Sequence, residues 1–137
     1  MVLGEKLWEE KGKATGISVK SVGSEGVHME ETFVSECKGL GRFPSGRNMG
    51  TINIVVRPDG ISSETGQGIF TTQNGDMMVW KVLAFGKQEA GKDKSIAIIQ
   101  MMTSSQKLSW MNSLLTVYES IGDMKTMEFS GTGYEWK

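Results

Sequence analysis

Apolar and polar residues alternate along most of this chain, and clusters of turn residues cut the alternation into segments of similar length. Runs such as Thr51-Ile52-Asn53-Ile54-Val55-Val56 and Ser95-Ile96-Ala97-Ile98-Ile99-Gln100-Met101-Met102 carry the β-branched residues that suit a pleated strand. Between the runs stand Pro58-Asp59-Gly60, Asn74-Gly75-Asp76, Gly91-Lys92-Asp93, Ser104-Ser105-Gln106 and Ile121-Gly122-Asp123. Their spacing is roughly fifteen residues, longer than the ~8–12 typical of a sandwich. Strands of about ten residues or more result, the length that a tilted barrel strand needs.

Eight segments emerge in order. The first runs from Glu5 to Val22, with Trp8, Gly12, Ala14 and Gly16 on one face. Small residues in a row let a strand coil sharply or let another backbone come near. After the turn Gly23–Gly26, the second segment, Val27 to Lys38, alternates Val27, Met29 and Phe33 against His28, Glu30 and Thr32. Its pattern breaks at Glu31, where a bulge is expected. Segments three to six are Asn48–Arg57, Ile61–Thr72, Asp76–Gly86 and Lys94–Thr103. Asn74-Gly75 between the fourth and fifth predicts a type I′ turn. Leu108, Met111, Leu115 and Tyr118 recur at helical spacing, yet Leu115 and Val117 also read as strand. The reading taken is a helical turn over Lys107–Asn112, a seventh strand from Ser113 to Ser120, and a last one from Met124 to Lys137.

An open sheet of eight such strands would leave two long edges, which invite aggregation. Closure into an up-and-down antiparallel barrel removes them. The expected fold is therefore all-β, one barrel domain over residues 1–137. Eight strands enclose room for packed side chains or one small ligand.

Segments five and six depart from strict alternation. Met78, Trp80, Val82 and Ala84 share one face, and Met77, Val79, Leu83 and Phe85 share the other. Ile96 and Ile98 oppose Ala97, Ile99 and Met101. A water-facing strand should alternate, so something covers the outer face. The two coverings that fit are a homo-oligomer contact through Met77–Phe85 and Ile96–Met102, or the long loop Gly39–Arg47 folded over these strands.

Composition narrows the setting more than the chemistry. The chain has 137 residues and a formal net charge of −1, so no global field draws it to nucleic acid or an anionic membrane. Its single cysteine, Cys37, cannot form an internal disulfide, which fits a reducing compartment. No stretch approaches the ~18 apolar residues of a membrane span, and Met1–Glu10 has no apolar core of signal-peptide length. A cytoplasmic protein is expected. Glycine, at 18 residues, is well above the ~7% background, and the ten methionines fall mostly in apolar segments, where they fill irregular gaps.

Sequence-visible chemistry is sparse. One histidine and one cysteine do not supply the several convergent ligands of a metal site. There is no P-loop, dinucleotide fingerprint or nucleophile elbow, and no cofactor is expected. His28 and Glu30 share a strand face, but alternating polar residues are what a barrel's wet side looks like. His28 and Cys37 differ in parity, so an unbroken strand would point them to opposite faces. All three arginines, Arg42, Arg47 and Arg57, fall between Lys38 and Pro58. Such a loop could hold a carboxylate or phosphate; the plainer reading is a solvated basic loop beside the acidic Glu25–Glu36 stretch.

Gly66-Gln67-Gly68-Ile69-Phe70-Thr71-Thr72-Gln73-Asn74-Gly75-Asp76-Met77 up to Trp80, with Lys11-Gly12-Lys13-Ala14-Thr15-Gly16 and the terminal Tyr134-Glu135-Trp136-Lys137, resembles a known group. These are small uncharacterised archaeal and bacterial single-domain proteins with a calycin-like, allene-oxide-cyclase-like eight-stranded barrel. In those relatives an acidic residue often precedes the Gly-Gln-Gly; here Thr65 stands there, with Glu64 one earlier. The resemblance implies a fold and no established activity.

The leading expectation is a binding module whose interior, lined by Met78, Trp80, Met101 and Tyr118, holds a small hydrophobic or amphipathic molecule. Its polar head would meet Arg47 or Arg57 at the open end. The rival is a cyclase or isomerase in which Glu64 or Glu128 is buried with a raised pKa. A third reading is a filled barrel that only self-associates.

Overall fold

A computed structural model describes residues 3–137 of the chain. Eight strands follow in order: β1 (Leu3–Gly23), β2 (Gly26–Gly39), β3 (Gly46–Val56), β4 (Ile61–Thr72), β5 (Met77–Glu89), β6 (Lys92–Met102), β7 (Leu115–Asp123) and β8 (Glu128–Trp136). Each pairs antiparallel with the next, and β8 returns to β1 to close the barrel. The expected up-and-down barrel is present. Among the described residues a single 3₁₀ turn, Ser109–Ser113, precedes β7, where the helical turn was expected.

The two ends of the barrel differ. At one end the 3₁₀ turn and the β2–β3 loop fold inward, and Phe43, Leu108, Met111 and Leu114 are buried there. At the other end lie four hairpin turns. β8 accompanies β1 only as far as Lys13, whereas β2 follows it to Gly23. The β1–β2 hairpin therefore stands above the rim. Extra residues at Thr15 and Lys20 shift the β1–β2 register twice, which bends β1 as it leaves the closed wall.

Several local expectations are corrected. β2 runs through Glu31 in unbroken register with β3, Glu31 opposite Ile52. The break in apolar alternation is thus a carboxylate pointing inward and not a bulge. At Asn74-Gly75 only the glycine has positive φ, 89°, and its N–H donates to Thr72 O. That is a type I turn followed by a left-handed glycine, since type I′ needs both central residues at positive φ. The hairpin with two positive values is Ala90-Gly91, at φ 52° and 77°, so Lys92 and Asp93 belong to β6. Ile121-Gly122-Asp123 is the end of β7, and the turn follows it.

The Gly39–Arg47 loop does not cover the outer face of β5 and β6. It turns under the barrel, where Phe43 stacks between Trp8 and Phe70 with ring centroids 4.9 Å and 6.0 Å away. Arg42 lies over the Trp110 ring, 4.0 Å from its centroid, and so ties the loop to the 3₁₀ turn. The outer side chains of β5 and β6 remain open: Phe85 is 57% exposed and Met102 60%. No helix among the described residues is long and apolar enough to cross a membrane.

Candidate functional site

The inward rows of the strands enclose a cavity of about 350 Å³. Its floor is aromatic. Tyr118, Trp8, Phe43 and Phe70 form a run of near-parallel rings, Trp8 lying 5.9 Å from Tyr118 at 12°. Glycines on the neighbouring strands seat these rings. A methyl group at Gly50 would come within 2.7 Å of the Trp80 ring, and one at Gly68 would overlap it. Gly133 stands in the same relation to Trp8, and Gly131 to Tyr118. The glycine excess therefore supplies space for rings as well as turns.

A polar layer sits just above the floor. Glu10 is 7% exposed and accepts from Trp8 Nε1 at 3.0 Å, Ser35 Oγ at 2.5 Å and Asn48 Nδ2 at 3.4 Å. Asn48 Oδ1 in turn accepts from Trp80 Nε1 at 3.0 Å, so Glu10 holds the Trp8 indole directly and the Trp80 indole through the Asn48 amide. Buried polar groups need such partners, because an unmet one costs about 1–3 kcal/mol. The Cys37 thiol receives the Asn48 Nδ2–H at 3.3 Å. Burial first, then the charge of Glu10, push its pKa far up, which leaves it a neutral wall group. His28 lies on the opposite face of β2, opposite Val55. The Tyr118 hydroxyl is also driven up, by burial and then the charge of Glu10.

Three carboxylates occupy the mouth. Glu31, Glu64 and Asp93 all line the cavity. Gly86 leaves the space in which two of them meet: Glu64 Oε2 and Asp93 Oδ1 lie 3.0 and 3.1 Å from where a Gly86 methyl would sit. Burial, then Asp93, then Glu31, raise the Glu64 pKa to about 7. Glu31 and Asp93 are raised as well, both chiefly by burial. Ser62 Oγ donates to Glu64 at 3.4 Å. Asp93 Oδ1 is buried and meets no donor from the protein. Among the described residues no three of these groups converge closely enough to hold a metal ion.

The sequence-predicted residues divide. Met78, Trp80, Met101 and Tyr118 line the cavity together. Arg47 and Arg57 do not. Arg47 sits on the outer face, paired with Glu36 at 3.1 Å, and Arg57 pairs with Asp59 at 2.5 Å in the β3–β4 turn. Both pairs are exposed and add little. The mouth is acidic where a basic one was expected. Of the two carboxylates put forward, Glu64 is half-buried at the cavity and Glu128 is exposed on the rim. Glu10 and Asp93 went unnoticed as cavity residues, and Glu31 was read as a bulge. Glu10 shares the even face of Trp8 and Gly12, and that parity was the available signal. Asp93 was hidden by its reading as a turn residue.

No protein-family description matches the chain, and none of the curated proteins does. Solved structures do match in shape. A protein of unknown function from Clostridium acetobutylicum superposes with a TM-score of 0.84 at 14% identity, covering 100% of both chains. A β-barrel-like protein from Acinetobacter baumannii gives 0.85 at 15% identity, over 99% of this chain and 96% of that one. An enzyme from Penicillium herquei gives 0.66 at 14% identity, over 96% and 92%. At these identities the likeness concerns the barrel alone.

Proposed function

We propose that the barrel binds one small amphipathic molecule, apolar end down on Trp80, Met78, Met101 and Phe129, polar end at the carboxylate mouth. The observation that carries this is the cavity of about 350 Å³ walled by aromatic and aliphatic side chains, within the ~300–1,000 Å³ range of ligand sites. The calycin-like resemblance carried by its sequence motifs agrees with an internal ligand. Among the described residues Glu31, Glu64 and Asp93 have no basic partner inside the cavity, and Asp93 Oδ1 lacks a donor. An amine or hydroxyl head answers both features, whereas a carboxylate head would set another acid against those of the mouth. A lone buried thiol suits the reducing cytoplasm as its location.

Titration with octylamine, octanol and octanoate, read by tryptophan fluorescence and calorimetry, tests this. Binding should fall in that order, with octylamine strongest above pH 7. Failure of all three to bind, together with loss of no copurified molecule on denaturing the protein in a native mass spectrum, would end the binding reading. Tighter binding of octanoate would reverse the assigned head.

One observation favours a second reading. Glu64 titrates near neutrality at about 7, the range in which a carboxyl group serves as both proton acceptor and donor. In an isomerase or cyclase the same cavity would hold a flexible substrate while Glu64 moves one proton. Turnover lost in Glu64→Gln with ligand affinity retained would separate catalysis from binding.

A further inference from the structure

The outer wall of β5 and β6 carries an apolar surface that the chain itself leaves uncovered. Met77, Val79, Leu83, Phe85, Ile96, Ile98 and Met102 are between 44% and 60% exposed. Cross-strand pairing makes most of them contiguous: Val79 stands beside Met102, Leu83 beside Ile98 and Phe85 beside Ile96. Together they leave on the order of 700 Å² open, more than the largest patch of a typical monomer (about 300–600 Å²). A standard protein interface buries ~800 Å² on each partner.

The patch is matched across the β5–β6 seam. From Val79 to Phe85 each outward apolar side chain on β5 faces an apolar one on β6, Met77 lies beyond the last β6 partner, and the one polar row inside the patch pairs Lys81 with Gln100. A twofold axis running along the seam would lay each β5 residue on its β6 counterpart from another copy. Leu83 then meets Ile98, Phe85 meets Ile96, and the Lys81 ammonium meets the Gln100 amide and not a second ammonium. The next row, Lys87 beside Lys94, marks where the contact ends, because the same operation would oppose two cations. Self-complementarity of this kind is what an isologous contact requires.

We infer that two copies of this chain pair through the β5–β6 wall, leaving both barrel mouths open. Analytical ultracentrifugation of the full chain at 10–100 μM is the test. Wild type should sediment at twice the chain mass of 15.0 kDa. Leu83→Glu and Ile98→Glu, each on the outer wall, should sediment at one chain mass with unchanged circular dichroism. Val22→Glu, at an exposed apolar position far from the patch, should stay paired. Oxidising an equimolar mixture of Leu83→Cys and Ile98→Cys chains should cross-link the two variants to each other in excess of either with itself. A wild-type mass of one chain at 100 μM overturns the proposal. So does a paired mass in both glutamate variants, and so does cross-linking without preference.

Discussion

The Tyr118 ring lies across Gly131 so closely that a methyl group on the glycine would overlap the phenol oxygen. The tyrosine is on β7 and the glycine on β8, and Gly131 pairs with Ser120, two residues beyond Tyr118 on the same inward face. A side chain at 131 would have to displace the ring toward Trp8, which already stacks on it. Gly131→Ala is expected to lower stability by about 1–3 kcal/mol through overpacking. Urea denaturation measures the loss, and a changed tryptophan emission would report the shifted ring stack.

Glu64 makes stability fall as pH rises. Its carboxyl group ionises at 4.5 in ordinary surroundings and at about 7 in the fold. Between those values the folded chain holds a proton that the unfolded chain releases, so raising the pH favours unfolding. Glu31 and Asp93 are shifted in the same direction. Glu64→Gln should therefore be more stable than wild type at pH 8, by up to about 3 kcal/mol, and equal to it within error at pH 4. Denaturation curves at the two pH values check the sign; a larger gain at pH 4 would contradict it.

Phe43 closes the floor from a loop, stacked between Trp8 and Phe70 and only 4% exposed. Phe43→Ala is expected to destabilise the barrel by about 3–5 kcal/mol and to deepen the cavity from below. If the cavity is the ligand site, alkylamines longer than octylamine should gain affinity in this variant relative to wild type. Calorimetry across a chain-length series measures that gain.

Ala90 adopts φ 52° at the first position of the β5–β6 turn. Alanine is strained there by roughly 1–2 kcal/mol, whereas the short polar side chain of asparagine offsets part of that cost by local hydrogen bonding, and asparagine followed by glycine is the preferred pair for such a turn. Ala90→Asn should raise stability by about 1 kcal/mol, which is ~3–5 °C in thermal midpoint for a chain of this size. Differential scanning calorimetry gives the answer directly.

Strand order, strand length and closure were legible in the sequence because they rest on local rules. Alternation has a period of two, turn residues mark its ends, and eight long strands in series leave closure as the way to lose their edges. The inward row of β5, Met78, Trp80, Val82 and Ala84, could be read from parity alone. Arg47 and Arg57 were misplaced for a different reason. Charge and loop length say nothing of direction, and both side chains turn outward to neighbouring acids. Glu31 misled because a carboxylate inside a barrel looks, in sequence, like a fault in the strand.

By itself, then, the sequence determined the barrel, the faces of its strands, and the presence of more apolar surface on β5 and β6 than one core can bury. Tertiary structure alone decided the polarity of the mouth. Glu31, Glu64 and Asp93 come from β2, β4 and β6, and Gly86, the position over which two of them meet, comes from β5. Their approach depends on curvature and register summed over five strands, and their raised pKa values depend on water being excluded when those strands close. Neither quantity is written in any local stretch of residues.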